Sequence, residues 1–525
     1  MTRHSPFPRN QAYWLIICSL MLAGCAVGPD YERPQAPVSA AFKPAPGWKI
    51  AAPEDDVSKG EWWKIFRDPV LNDLMAQIEP NNQNVALYVA RVRQAQAQAS
   101  SASAARYPTL NFSGQGGRTG SAGSGNLINP ADGTIDNGSI NNAVNFQLGL
   151  SWDADIWGKL RRNVESKDAA FVASVSDLEN ARLSMQAQLA QSYFTVRSLD
   201  SLKVLYTDTT EQNRKSVEIT RNNFEVGVKA KQDLINATMQ YRSTEARMVA
   251  VEANRATQEA IIATLIGKPA SEFSLAFNPL PGRADLTVPV VPAGLPAQLL
   301  ERRPDIGAAE RRMAAANAQI GYQKAAYFPS LTLNPSGLPG NNVGFQGSSF
   351  SQLFSAPFLF WGIGPSLAMT ALDFGTRAAA VEQARGAYDE SVATYRQTVL
   401  TAIQEVETQL ATLRVKENEA VSQDEAADMA DRAVVISLNR YNAGIDSYTN
   451  VVVAVNQALS NRERSIQIAN ERLTASIQLI KAIGGSWDPP GADVASVKTS
   501  ATSVPAERQQ QQNAQQQQPD QRPGG

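Results

Sequence analysis

Three glycines constrain this chain more than any other feature. Gly158, Gly227 and Gly267 recur 217 positions later, in the same order, as Gly375, Gly444 and Gly484. Their surroundings recur too. AARYPTLNF from Ala104 answers to AAYFPSLTL from Ala325, LSWDADIWGK from Leu150 to LAMTALDFGT from Leu367, and RNNFEVGV from Arg221 to LNRYNAGI from Leu438. Self-similarity at a fixed offset marks repeated structural units. The chain therefore reads as an ancient duplication, and its fold must be made twice from one order of elements.

Within each half the order is helix, strand, polar loop, strand, very long helix, glycine turn, long helix. The first helix covers about Asn81 to Ala104 in one half and Pro304 to Ala325 in the other. Tyr107-Pro108 and Phe328-Pro329 end them, because proline disfavours helix in the residue before it. In VNFQLGLSW, Val144, Phe146, Leu148, Leu150 and Trp152 alternate with Asn145, Gln147, Gly149 and Ser151. Such alternation gives a strand one apolar and one polar face. Leu110 and Phe112, then Leu331 and Leu333, continue it in shorter pieces, and Leu367 and Met369 do so less cleanly. A sandwich with a wet outer face would show the same alternation. Hairpins with long polar loops favour a membrane barrel, and four strands are too few to close one, so several protomers must contribute.

The helical stretches are longer than a globular core allows. Lys159 to Phe224 and Thr376 to Tyr441 contain no proline, and each would reach roughly 100 Å at a rise of 1.5 Å per residue. Val392, Val399, Val406 and Leu413 sit seven apart, as do Val452, Leu459, Ile466, Leu473 and Ile480, the spacing of a coiled-coil seam. The seams are narrow and the remaining faces polar. A helix on a solid core shows a wider apolar stripe, so these helices are expected to wall a hollow cylinder; a plain coiled coil is the alternative. The turns at Gly227 and Gly444 suit left-handed glycines closing a helix. Asp446 and Ser447 are candidates to cap the helix that follows, whereas Lys229-Ala230-Lys231 offers no such cap.

Composition narrows the function. The chain has 525 residues, 43% hydrophobic and 19% charged, with a net charge of −2. No block of like charge points to nucleic acid. His4 is the only histidine, and Cys18 and Cys25 the only cysteines. Arg3 and Arg9, the apolar run Ala12 to Ala23, and Leu22-Ala23-Gly24-Cys25 form a leader. It resembles a bacterial lipoprotein signal, which is cut before a lipidated cysteine; an ordinary secretory leader with a chance cysteine is the alternative. Ala26 then points to the outer membrane. Removal of residues 1–24 would leave no histidine and one lipidated cysteine, Cys25. Cys/His metal sites, histidine catalysis and disulfides would go with it. Gly267-Lys268-Pro269 lacks the pattern of a phosphate loop and is only a turn. No cofactor is expected beyond the covalent lipid on Cys25, and no enzymatic activity.

GEWWKIFRDPVLNDLM from Gly60 and LPAQLLERRPDIGAAERRMAAANAQIGYQKAAYFPSLTL from Leu295 resemble the TolC-like outer-membrane efflux factors, in the nodulation-type lipoprotein branch that serves resistance–nodulation–division pumps. The resemblance implies an α+β membrane protein, internally duplicated. Its long helices form a coiled-coil barrel, and a trimer completes a transmembrane β-barrel from four strands per protomer. It implies a passive exit duct for drugs or other small toxic compounds, lying in the outer membrane of a Gram-negative bacterium with a periplasmic helical tunnel. The partners it implies are two more copies, a periplasmic adaptor protein, an inner-membrane proton-driven transporter and outer-membrane lipid. Metal ions or secreted polypeptides as cargo, and a poreless coiled-coil lipoprotein, are the alternatives. The expected organisation is a leader at 1–24, a lipidated extended segment at 25–60, repeats at 61–268 and 297–484, a linker at 269–296, and a disordered Gln-rich tail at 485–525. The periplasmic tip would gate the duct through Gly227, Arg440, Tyr441 and Gly444. Relatives often constrict it with an aspartate just before the Arg-Tyr pair. Here Asn439 stands there, so Asp431 or Asp446 is the expected substitute.

Overall fold

The computed structural model describes residues 26–35, 61–121, 139–281, 303–333, 342–349, 357, 359–362 and 364–485. Cys25, the end of the linker and the Gln-rich tail lie outside them. The chain divides into two compact units. One comprises Met1–Pro34, Gln94–Phe171 and Arg311–Ala393; the other comprises Gln35–Arg93, Val172–Glu310 and Thr394–Gly525.

The first unit holds the sheet. Strands β1 (Thr109–Ser121) and β2 (Ser139–Ala154) belong to the first half, and β3 (Ser330–Leu333), β4 (Asn342–Gly347), β5 (Leu359–Trp361) and β6 (Pro365–Ala368) to the second. All pairings are antiparallel. β2 pairs β1 on one side and β3 and β4 on the other; β6 pairs β3 and β5 pairs β4. Six segments thus make four strand lines, the number the sequence implied, but both lines of the second half are interrupted. Gly149 faces Asn342, and three residues further along β2 Trp152 faces Leu333. The partner line therefore carries extra residues between its two segments. β6 ends at Ala368, so the expected continuation to Met369 is not strand.

The register aligns the apolar residues in rows. Phe112, Leu148, Val343 and Trp361 are successive partners across the four lines. Gln115, Asn145 and Gln346 make a polar row on the other face. The apolar face is bare: Phe112 is 72%, Trp361 75% and Leu367 70% exposed. A sandwich would bury that face, and among the described residues no second sheet covers it. β1 pairs only with β2 and β6 only with β3, so each leaves an open edge among the described residues.

In the same unit residues 26–30 run without helix or strand against the helices. The Val27 amide donates to the Trp157 carbonyl at 3.1 Å, and the Asn317 side chain donates to the Pro29 carbonyl at 3.1 Å. The buried Arg162 guanidinium pairs with Asp30 and Glu165, both at 2.8 Å. Gly28, at φ +113°, crosses Gly321 so closely that an added Cβ would lie 2.4 Å from the Gly321 Cα. These contacts hold residues 27–30 against the first unit; the rest of the expected extended segment, residues 36–60, lies outside the described residues.

Helices make up the rest. α2 (Gln83–Ala104) is the helix expected from about Asn81 to Ala104, and α1 (Pro69–Asn81) precedes it. Asn82 separates them: it is extended, and its Oδ1 caps α2 by accepting from the Val85 amide at 3.0 Å. α3 (Lys159–Glu225) and α6 (Thr376–Asn442) have 67 residues each; α4 (Lys231–Leu265) and α7 (Tyr448–Ala482) have 35 each. The duplication is therefore exact in length over these helices. α5 (Pro304–Ala325) matches its expected bounds.

The core of the second unit follows from small and aromatic residues on these helices. Tyr395, Val399, Ala402 and Val406 of α6 are all buried. Their spacing of four, three and four residues is that of a coiled-coil seam, of which the sequence reading held only the valines. WWKIF folds as a short 3₁₀ turn, Trp62–Phe66, with both tryptophans buried. The Phe66 ring lies 5.0 Å from that of Phe194 on α3. Asp68 caps α1 through the Val70 and Leu71 amides and also binds the Tyr193 hydroxyl at 2.7 Å and Arg197. Burial and the Asp68 carboxylate push the Tyr193 phenol well above its ordinary value. The described start of the linker is held by side chains: Asp200 accepts from the Asn278 amide at 2.9 Å while pairing with Arg255 at 2.7 Å.

Candidate gate at the helix turns

The turn between α3 and α4 and the turn between α6 and α7 have one backbone design. Gly227 and Gly444 both have φ +75°. The Gly227 amide donates to the Phe224 carbonyl and Val228 to Asn223, both at 2.9 Å; Gly444 donates to Tyr441 at 3.0 Å and Ile445 to Arg440 at 2.9 Å. This is the paired closure that a left-handed glycine makes after a helix. Its mechanism was readable from the glycines and the aromatics three residues earlier.

The caps were not. Ser447 is the N-cap of α7, but its side chain makes no capping bond, and Ala230 likewise caps α4 without one. The two turns are therefore alike where the sequence had set them apart. Asp446 is taken by Arg440, whose Nε donates to it at 2.5 Å. That pairing holds the Asp446 carboxyl below the usual carboxylate range.

Tyr441 is the pivot. It is buried, its ring packs edge-on against Tyr448 at 5.2 Å, and Val217, Ala237 and Val451 complete the cluster. Burial, with Asp233 second, pushes its phenol up. Lys229 reaches across from the other half. Its ammonium sits 4.2 Å from the centre of the Tyr441 ring and donates to the Tyr441 carbonyl at 3.3 Å. Sequence reasoning had seen Lys229 only as a missing cap. Asp431, higher on α6, pairs with Arg462 of α7 at 2.7 Å. Asn439 is exposed. The structure thus sets two contacts beside the two glycines, Arg440 with Asp446 and Lys229 with Tyr441. Both candidate acids are neutralised by an arginine of the same chain.

A model of the family described as outer membrane efflux protein matches residues 74–268 and 295–485, most of the chain and both of its halves. The chain belongs to this family. The efflux protein is 29% identical over 483 residues to Nodulation protein T of Rhizobium leguminosarum bv. trifolii, covering 90% of this chain and 96% of the relative. It is 28% identical over 490 residues to the probable efflux pump outer membrane protein TtgC of Pseudomonas putida, covering 90% and 95%. The solved outer-membrane channel OprN superposes with a TM-score of 0.76 at 27% identity, over 88% of this chain and 99% of that one. The efflux protein has the fold of these channels: it is an outer-membrane duct that works with the other components of an efflux pump. No helix among its described residues is long and apolar enough to cross a membrane.

Proposed function

We propose that this protein is the trimeric exit duct of a tripartite efflux pump. It conducts drugs or other small toxic compounds passively, from a periplasmic adaptor and an inner-membrane proton-driven transporter to the exterior. The observation that carries this reading is the bare apolar row Phe112–Leu148–Val343–Trp361 on a sheet open at both edges among the described residues. Such a face needs lipid, and such edges need further copies. Three copies with four strand lines each supply twelve strands, enough for a barrel with an aqueous lumen.

Two finer assignments go with it. Cys25 carries the acyl chains that tether the amino end, and the clamp on residues 26–30 supports a fixed attachment rather than a loose leash. The latch of Lys229, Arg440, Tyr441 and Asp446 holds the tip closed until the adaptor engages. Val226, Val228 and Ile445 are exposed on the same two turns and give that adaptor apolar contacts.

The test is single-channel conductance in planar bilayers, comparing the purified wild-type protein with Asp446→Ala. We expect small, brief openings from the wild type and a several-fold larger mean conductance from the variant. A trimer that stays silent in both forms is a coiled-coil lipoprotein without a pore, and the duct reading fails.

A further inference from the structure

The register assigns every second residue of the long strands to the apolar face, and one of them is charged. On β2 that face runs from Ala154 to Ile140 and is apolar except at Asn142. On β1 it runs from Leu110 to Gly120, apolar or glycine except at Arg118. The second half adds only apolar residues, Gly347 and Pro365. Arg118 is therefore the one charge on this face of the described strands, and Asn142 is its direct cross-strand partner. Side-chain contacts agree with these faces. The Phe112 and Phe146 rings stack at 6.0 Å, and a Cβ on Gly114 would lie 2.6 Å from the Phe146 ring.

Arg118 stands at the end away from the helices. β1 follows α2 at Thr109 and β2 leads into α3 at Ala154, whereas Arg118 and Asn142 lie toward the opposite ends of both strands. From Trp152 to Asn142 is ten residues, about 33 Å at the usual strand rise. At a tilt of about 40° this becomes about 25 Å of height, that of the outward apolar band of an outer-membrane barrel. Trp152 then marks one rim, where aromatics collect. The Arg118–Asn142 pair marks the other, at headgroup depth.

A cation on a lipid-facing strand is costly at the bilayer midplane and tolerated near the headgroups. Arg118 is exposed, and no carboxylate among the described residues pairs with it. Its neighbours on the same face are Gly116, Gly120 and Asn142, none of them an anion. The described chain thus supplies this guanidinium with no counter-ion. On the outer side of an outer membrane, lipid phosphates lie at that depth.

We propose that Arg118 binds a phosphate of the lipid A headgroup of lipopolysaccharide, one molecule at each protomer, with an acyl chain laid along the Phe112–Phe146 stack. The proposal rests on the reading of the sheet as a membrane barrel whose helices lie in the periplasm. The guanidinium fork matches two phosphate oxygens at once, and the Asn142 amide beside it adds a further donor. The acyl chains then descend over the bare rings, so one lipid is held by charge and by apolar contact together.

The test is native mass spectrometry of the full-length trimer, delipidated in mild detergent and titrated with diphosphorylated lipid A, with the same lipid stripped of its phosphates, or with inorganic phosphate. We expect the phosphorylated lipid to bind at least five-fold tighter than the stripped one, and inorganic phosphate not to compete. Arg118→Gln should weaken phosphorylated lipid A at least five-fold and remove the difference between the two lipids. Arg118→Lys, which keeps the charge and loses the fork, should fall between. Thr119→Arg added to Arg118→Gln puts the charge on the polar face and should restore nothing. Equal binding of both lipids by the wild type overturns the proposal, and that comparison needs no variant to fold. So does wild-type binding by Arg118→Gln, or rescue by Thr119→Arg, which would show attraction by net charge alone. Competition by inorganic phosphate would make this an anion site only and would also overturn it. Wild-type conductance is read in parallel. Pores that conduct without phosphate-dependent lipid binding refute this site alone, whereas absence of pores refutes the duct.

Discussion

Asp446 has two possible uses for its carboxylate, the open amides of α7 and the guanidinium of Arg440, and the structure gives it to Arg440. A charged donor outbids neutral amides. This choice puts an ion pair between the end of α6 and the start of α7 in place of a cap, and in the proposed gate that pair carries a pH dependence. The folded-state carboxyl lies below the ordinary aspartate value near 4. The contribution of the pair is therefore present above about pH 4 and is lost as the pH falls through the lower folded value. Mean conductance should stay flat from neutral pH down to about 4 and rise only below it. Asp446→Asn should show the open level at neutral pH and no such rise. A recording in which wild type opens between pH 5 and 7 would place the gate elsewhere. Gly227 and Gly444 were legible because a left-handed residue after a helix has few alternatives. The fate of Asp446 was not, because nothing in local sequence ranks a partner six residues back against an amide one turn on.

Elements were the most legible scale. The bounds of α3, α5 and α6 fall within a residue of those read from the chain, since a proline-free run with a glycine after it fixes the long pair and Pro304 and Pro329 bracket α5. The two long helices nevertheless begin differently. Asp155 lies four residues before Lys159, and Asp373 three before Thr376, so the duplicated halves solve one capping problem with carboxylates out of step. The long ERRPDIG motif was visible as a resemblance, but its physical work was not. Arg303 pairs with Asp305 at 2.6 Å and with Glu405 of α6 at 2.7 Å, and donates to the Ala482 carbonyl at the end of α7 at 3.0 Å. It ties the start of α5 to α6 and α7 through partners 102 and 179 residues along the chain, which no local pattern reveals. Arg303→Met should lower stability by about 2 kcal/mol, less than a fully buried pair would lose because Glu405 reaches solvent. Thermal unfolding of the helical signal in detergent measures it, and an unchanged midpoint would show the cluster to be ornamental.

At the scale of the whole molecule, the lipid proposed on Cys25 and the sheet make competing claims to hold the protein in the membrane. If the sheet prevails, Cys25→Ala behind an ordinary signal peptide should still fractionate with the outer membrane as a heat-resistant trimer. Release as a soluble protein would mean that the acyl chains do the holding. The strand faces were readable from alternation alone; the preference for barrel over sandwich came from the hairpins and the resemblance, because a single strand carries no record of what covers it. The open edges of β1 and β6 have a further consequence, for the time before assembly. A newly exported copy, not yet joined to others, displays unpaired backbone beside a bare aromatic face, the combination from which fibrils and aggregates grow. Its survival in the periplasm is then a race between escort and clumping, set by rates rather than by final stability. Yield on overproduction should be limited by how many escorts are free, long before the membrane itself is full.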